Sequence, residues 1–221
     1  MEKRSRWQTA LQLLLGLCLC LCIISLSVVV TQNFRPLYYA DIHLLKIPAM
    51  SGLDEAEIKA NFDVLIDYNS LFHRGPLEFP TLAMSESGRI HFEEVKAVFD
   101  FFGYTAIVTA VLSAVGILWS RKQKRYTYLK AAGLMSVIGP VLLGIVVAVN
   151  WDFAFVAFHK VVFNNDFWIF DAVTDPVITI LPDAYFLHCA IMIFALVILG
   201  SAVSLLLHRR LTRPRKKAEG S

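Results

Sequence analysis

Apolar positions along this chain gather into long uninterrupted blocks instead of alternating with polar ones. Residues 10–30 run for 21 positions without a charge, residues 101–119 and 131–149 for 19 each, and residues 184–207 for 24, the last block including His188 and Cys189. About 20 apolar residues carry a helix across the hydrocarbon core of a bilayer. Each block therefore predicts a transmembrane helix, over 10–30, 98–119, 131–149 and 184–207. The pattern between the blocks is different. In the 31–97 connection, Ser51 predicts the cap of a helix over Leu53 to Leu71, with Asp54, Glu55 and Glu57 in a first turn where the helix dipole favours acids. Ile58, Phe62, Leu65 and Ile66 form its apolar stripe. Gly75-Pro76 and Phe79-Pro80 predict an extended passage, and Ser85 to Gly88 a turn. From Arg89 a helix runs into the second span and places His91, Val95, Val98 and Phe102 on one side.

The second long connection, 150–183, carries eight aromatics: Trp151, Phe153, Phe155, Phe158, Phe163, Phe167, Trp168 and Phe170. Such a loop belongs in the bilayer interface or under the first loop. It predicts one helix over Asp152 to Phe163 that displays His159, and another from Thr174 or Asp175 with Pro176 in its first turn. Pro182 ends the loop, and Pro140 predicts a kink in the third span. The expected fold class is an all-α membrane protein: four transmembrane helices with an extracellular cap formed by the two outer loops.

Charge orients this arrangement. The segment before the first span, the loop 120–130 and the tail 208–221 hold 14 of the 21 Lys and Arg residues, opposed only by Glu2 and Glu219. The 31–97 and 150–183 connections hold 7 basic and 15 acidic residues. The positive-inside rule then puts both termini and the 120–130 loop in the cytoplasm. Composition agrees, with 57% hydrophobic and 18% charged residues among 221, against roughly 45–50% and 25% for an average globular chain. These values exclude disorder, and a net charge of +3 gives no basis for nucleic-acid binding. The first apolar run is longer than a signal-peptide core and is expected to persist as a span. The sequence sets no oligomeric state.

Candidate chemistry narrows by elimination. All four cysteines (Cys18, Cys20, Cys22 and Cys189) fall inside spans, with no Cys-x-x-Cys for thiol redox work. There is no His-Glu-x-x-His for zinc and no Gly-x-Ser-x-Gly nucleophile elbow, so neither metal nor cofactor is expected. Among six histidines, His43 and His73 read as surface residues. His208 reads as a headgroup contact, and His188 as an intramembrane polar group that is functional or bonded to a neighbouring helix. His91 and His159 stand apart, because both sit on helices at interfacial depth among aromatics. Spacing alone leaves each open as catalytic or as an ordinary hydrogen-bonding residue.

Two segments carry a resemblance. Ser85-Glu86-Ser87-Gly88-Arg89-Ile90-His91-Phe92-Glu93-Glu94-Val95-Lys96 resembles the outer-loop motif of the lipoprotein intramolecular transacylase (Lit) family. Phe158-His159-Lys160-Val161-Val162-Phe163-Asn164-Asn165-Asp166-Phe167-Trp168, with Thr174-Asp175-Pro176-Val177-Ile178 and Leu181-Pro182, resembles its second motif. Order, spacing and four-span layout agree over nearly the whole chain. One departure is Glu94, where the pattern leads one to expect Asp. The resemblance implies a bacterial cell-membrane enzyme whose substrate is a diacylglyceryl lipoprotein among membrane lipids, with the site at the extracellular face. It implies transfer of the sn-2 acyl chain to the α-amine of the lipidated cysteine, giving a lyso-form lipoprotein. His91 and His159 match the family's catalytic histidines. Glu93, Glu94, Asp166 and Asp175 become candidates for orienting the imidazoles, and Asn164 and Trp168 for lining the pocket. The alternatives are a non-enzymatic module that binds or sorts lipoproteins, a phospholipid-dependent acyltransferase, and a deacylase.

Overall fold

The computed structural model describes residues 6–213. Lys3, Arg4 and the basic residues beyond Arg213 lie outside the described residues. The chain is all-helical there, with no strand among the described residues. Four long helices contain the four apolar blocks: α1 (Arg6–Asn33), α5 (Glu86–Lys122), α6 (Thr127–Val149) and α8 (Asp183–Thr212). Between α1 and α5 come α2 (Arg35–Leu44), α3 (Ile47–Ser51) and α4 (Glu55–Tyr68). Between α6 and α8 come α7 (Trp151–Val162) and a 3₁₀ turn, Pro176–Thr179.

The long helices are built inside out relative to a soluble bundle. Leu112, Val115, Leu142, Ile145, Ile198 and Leu199 are exposed on the outside, where lipid tails satisfy them. The interior carries small and polar residues instead, including Ser25, Ser113, Ser136, Ser201 and Ser204. In lipid, apolar surface gives no drive for association, so close packing and interhelical hydrogen bonds hold the bundle. α1 packs against α5, α6 and α8. Gly16 permits this: a Cβ there would lie 2.6 Å from the Ala131 Cβ. Gln12 donates to Ser120 Oγ at 2.8 Å and accepts from the Tyr128 amide at 3.3 Å. Ser201 Oγ donates to the Gly133 carbonyl at 2.6 Å. α6 continues as helix on both sides of Pro140.

A separate apolar core sits at the end of the bundle where both long connections emerge. The predicted stripe Ile58, Phe62, Leu65 and Ile66 is buried. It packs with Tyr38, Ile42 and Ile47 from the first connection, Val177, Ile180 and Leu181 from the second, and Phe92 and Tyr185 from α5 and α8. Tyr38 stacks on Phe62 at 3.6 Å between ring centres and donates to the Ile180 carbonyl at 2.6 Å. The two loops are thus one folded layer.

Local boundaries differ from expectation in three places. Asp54, not Ser51, caps α4, accepting from the Glu57 amide at 2.8 Å. Ser51 instead ends α3, and Gly52 at φ 74° turns the chain between them. α5 begins at Glu86 rather than Arg89, because Ser85 accepts from the Gly88 amide at 3.0 Å. The helix expected from Thr174 or Asp175 is only the 3₁₀ turn.

Candidate active site

α5 is 37 residues long, about 55 Å at 1.5 Å per residue, well beyond the ~30 Å hydrocarbon core. The surplus is at its Glu86 end, which carries Arg89, Glu93, Glu94, Lys96 and Asp100. His91 therefore stands on a rigid stalk outside the spanning segment.

That stalk is fixed by Asp175, 2% exposed. Its Oδ1 accepts from the Ser85 amide at 2.7 Å and its Oδ2 from Thr174 Oγ1 at 2.8 Å. A buried carboxylate at a helix N-terminus is favoured by the unpaired amides and the dipole there. Gly88 makes room for it, since a Cβ at that position would lie 2.2 Å from Asp175 Oδ1. Asp175 thus staples the second connection to the start of α5.

His91, 5% exposed, is walled by aromatics. Its ring centre is 4.8 Å from Phe163 and 5.4 Å from Phe170. No protein group bonds its buried Nδ1. His159 comes from α7, whose Asn150 cap accepts from the Phe153 amide at 2.9 Å. Its ring centre lies 4.2 Å from Phe155 and 4.7 Å from Trp168. The two imidazoles are 6.1 Å apart, centre to centre, inclined at 33°.

The protonation chemistry follows from these surroundings. His159 Nδ1 lies 2.7 Å from the Phe155 carbonyl. A carbonyl only accepts, so Nδ1 carries the proton and Nε2 keeps its lone pair. Burial holds the His91 pKa below the usual imidazole value, and the nearby His159 adds to this. Burial likewise lowers His159, against the opposing Phe155 carbonyl bond and the Asp183 charge. Both rings are therefore neutral near pH 7. Two proton-transfer contacts of about 2.6–3.2 Å laid end to end span roughly 5–6 Å. The 6.1 Å between ring centres is of this size, which suits a reacting group held between the two rings.

The other candidates divide. Trp168 belongs to the aromatic surround of the two rings, the chamber, its ring centre 4.7 Å from His159 and its indole N–H donating to the Asn165 carbonyl at 3.1 Å. Glu94 is hydrogen-bonded by Asn165 Nδ2 at 2.8 Å. Glu93 is exposed and paired with Arg89. Asn164 and Asp166 are exposed, and no side-chain hydrogen bond joins either to the histidines. Asp175 acts on the α5 terminus, so none of the four acids makes a direct hydrogen bond to either imidazole. Asn165, part of the second motif but not among the candidate site residues, ties Glu94 to the Trp168 turn, and its Oδ1 accepts from the Phe167 amide at 3.0 Å. Nothing in an Asn-Asn pair says which amide turns inward.

The remaining histidines are engaged elsewhere. His188 Nδ1 lies 2.9 Å from both oxygens of buried Asp41, bonding α8 to α2. His208 donates to the Tyr126 carbonyl at 2.9 Å. His43 is exposed beside Glu55, and His73 packs on Tyr68. Among the described residues no three His, Cys, Asp or Glu side chains gather as a metal-ligating cluster.

Comparison with known proteins covers most of the chain. A family model described as lipoprotein intramolecular transacylase Lit matches residues 13–186. A solved structure of membrane-integral Lit from Bacillus cereus is 35% identical, with a TM-score of 0.90, covering 92% of this chain and 94% of that one. Two variants of the Bacillus cereus protein, one with a histidine replaced by arginine and one with a histidine replaced by alanine, match at 34% identity and TM-score 0.83. Each match covers 92% of this chain, and 91% and 92% of those chains respectively. Comparison with curated protein sequences gave no match. Four apolar helices, both motifs and this likeness in sequence and fold lead to one conclusion: the chain belongs to the bacterial lipoprotein intramolecular transacylase (Lit) family of membrane-integral acyltransferases.

Proposed function

We propose that this protein transfers the sn-2 acyl chain of a diacylglyceryl-modified N-terminal cysteine to the α-amino group of the same molecule, by acid–base catalysis between His91 and His159. The observation that carries this reading is the pair of imidazoles 6.1 Å apart, His91 buried and His159 half-buried, with aromatic rings packed around both. An α-amine has a pKa of about 7.7–8, within reach of a neutral imidazole. His159 Nε2, left unprotonated by the Phe155 contact, takes the amine proton as nitrogen attacks the ester carbonyl. The N–C bond forms and an oxyanion develops. The C–O bond to the glyceryl sn-2 position then breaks, and that oxygen receives a proton from His91. The amine has lost one proton and the alcohol has gained one, so the composition of the lipopeptide is unchanged. His91 recovers its proton from His159 and both rings return to neutral.

Such proton transfers contribute roughly 10²–10⁴ in rate. The rest comes from positioning: effective molarities for well-oriented intramolecular attack reach about 10⁵–10⁸ M. Aromatic walls on both imidazoles suit a lipid folded back on itself. Donor and acceptor groups belong to one substrate, so the reaction requires no enzyme nucleophile.

The charge pattern supports an orientation with 31–97 and 150–183 outside the cell and residues 120–130 and 208–221 in the cytoplasm. The chamber then faces the outer leaflet, where the substrate of this reading is anchored. The test is a synthetic diacyl lipopeptide with a free amine, incubated with purified protein and followed by intact and fragment mass. The expected result is unchanged mass with one acyl chain on nitrogen. Mass gain indicates an external acyl donor, mass loss indicates hydrolysis, and unchanged fragments indicate a binding protein; each contradicts the proposal.

A further inference from the structure

Beside the imidazole pair lies a cleft of about 340 Å³ lined by Glu94, Ala97, Val98, Phe101, Val162 and Phe163. Its α5 wall is one stripe, at i, i+3, i+4 and i+7 from Glu94, running from the His91 level toward the apolar span. Phe163 packs on His91, and Glu94 is one helical turn from it, so the cleft adjoins the imidazole pair through these two residues. Five of its six lining residues are apolar. Glu94 is the exception, and its charge is unusual in context. Glu86 and Glu93 pair with Arg89, and Asp100 pairs with Lys96 at 3.2 Å. Among the described residues Glu94 has no basic partner. Asn165 holds its Oε1, while its Oε2 is buried and no protein donor reaches it. A sheltered carboxylate without a counter-charge is costly. A cationic ligand group removes that cost.

We propose that the Glu94 carboxylate is the docking point for the substrate's protonated α-amine, and that the cleft below it receives the adjoining acyl chain. This rests on the acyl-transfer reading above and extends it to the binding step. Glu94 lines the cleft, and its last side-chain bond is a soft torsion, so a modest turn of the carboxylate offers an oxygen to a group entering there. The ammonium is then held one turn from His91; it first loses one proton to water, and the neutral amine so formed attacks the ester as above, its second proton going to His159. Acyl transfer turns this amine into a neutral amide. The product therefore loses the ion pair that bound the substrate, and the same carboxylate that selects a free N-terminus favours release of the acylated one.

The test uses the full-length protein and a lipopeptide whose two chains are joined by ether bonds, so that nothing transfers. Affinity is measured for the free-amine form and for its N-acetylated form. The wild type is expected to prefer the free amine by roughly tenfold or more, the range of a sheltered charge-assisted bond. Glu94→Gln, which keeps the Asn165 contact, is expected to bind the acetylated form as the wild type does and to lose the preference. With the ester substrate, its KM rises while kcat changes less. Glu94→Asp, which keeps the charge, retains a preference. A wild type that binds both forms equally, or a preference that survives in Glu94→Gln, overturns the proposal. Ester conversion by a wild type without amine preference removes only the Glu94 inference. A wild type that prefers the free-amine ether but never rearranges the ester removes the transfer reading alone.

Discussion

Gly88→Ala sets two effects of opposite sign against each other. In an exposed helix interior, replacing Gly by Ala stabilises by about 1 kcal/mol. At residue 88 the new Cβ meets Asp175 Oδ1 at 2.2 Å, its Cγ at 3.1 Å and Phe170 Cε1 at 3.3 Å. The first distance cannot persist, so Asp175 must leave the α5 terminus or α5 must shift. Overpacking of this kind costs about 1–3 kcal/mol, and weakening the charge-assisted bond from the Ser85 amide costs about 1.5–3 kcal/mol more. The two losses overlap because one movement causes both. The net expectation is destabilisation of about 1–4 kcal/mol, with impaired acyl transfer because Phe170 walls His91. The assay is apparent Tm in detergent at a fixed scan rate, for Gly88→Ala, Asp175→Ala and the double variant. In the Asp175→Ala background the clash is largely gone, so Gly88→Ala costs little or stabilises there, giving strong coupling between the two sites. Equal costs in both backgrounds, or a raised Tm for Gly88→Ala alone, would refute the staple.

Further predictions concern the chamber. His91→Ala and His159→Ala each reduce conversion by at least about 10² while apparent Tm stays within a few degrees; either variant converting at the wild-type rate removes that ring from the mechanism. Burial lowers the His91 pKa in the folded protein. The unfolded chain therefore binds the extra proton first, and stability present above about pH 6.5 is lost as pH falls toward the folded value. Apparent Tm is expected to drop over that window, and less so in His91→Phe; identical pH profiles would contradict neutral burial. Asn165→Ala frees Glu94 Oε1 and the Trp168 turn, so substrate KM is expected to rise, whereas Asn164→Ala, at an exposed position, leaves it unchanged; the reverse order would place the wrong amide in the site.

The four spans were legible because charge-free runs of 19 or more residues have few other homes. The α4 stripe was legible for a similar reason, since a 3.6-residue period survives whatever it packs against. Its partner was not: Ile58 and Phe62 meet Tyr38 and Ile180 only because residues about 20 to 120 positions away fold back on them. α2 and α3 are not legible in the sequence because they are 10 and 5 residues long, too short for periodicity to stand out. The Ser51 cap was misplaced because both Ser51 and Asp54 are good N-caps, and Gly52 decides between them through its positive φ. In the site, the histidines were legible as residue types at interfacial depth, and the motif resemblance singled them out. The acids were not. Asp175 could equally have faced an imidazole or a helix end, and only the close approach to Gly88 distinguishes these.

Acyl transfer within one molecule between two imidazoles is the central claim, and a crossover measurement tests it directly. Two diacyl lipopeptides are mixed, one heavy-labelled in both peptide and sn-2 chain, the other in neither, in vesicles of unlabelled phospholipid with the purified protein. The account predicts N-acylated products in which heavy peptide carries only heavy acyl chain and light peptide only light. Mixed-mass products, or unlabelled acyl chains on the heavy peptide, would mean that acyl groups leave their parent molecule, and would contradict it.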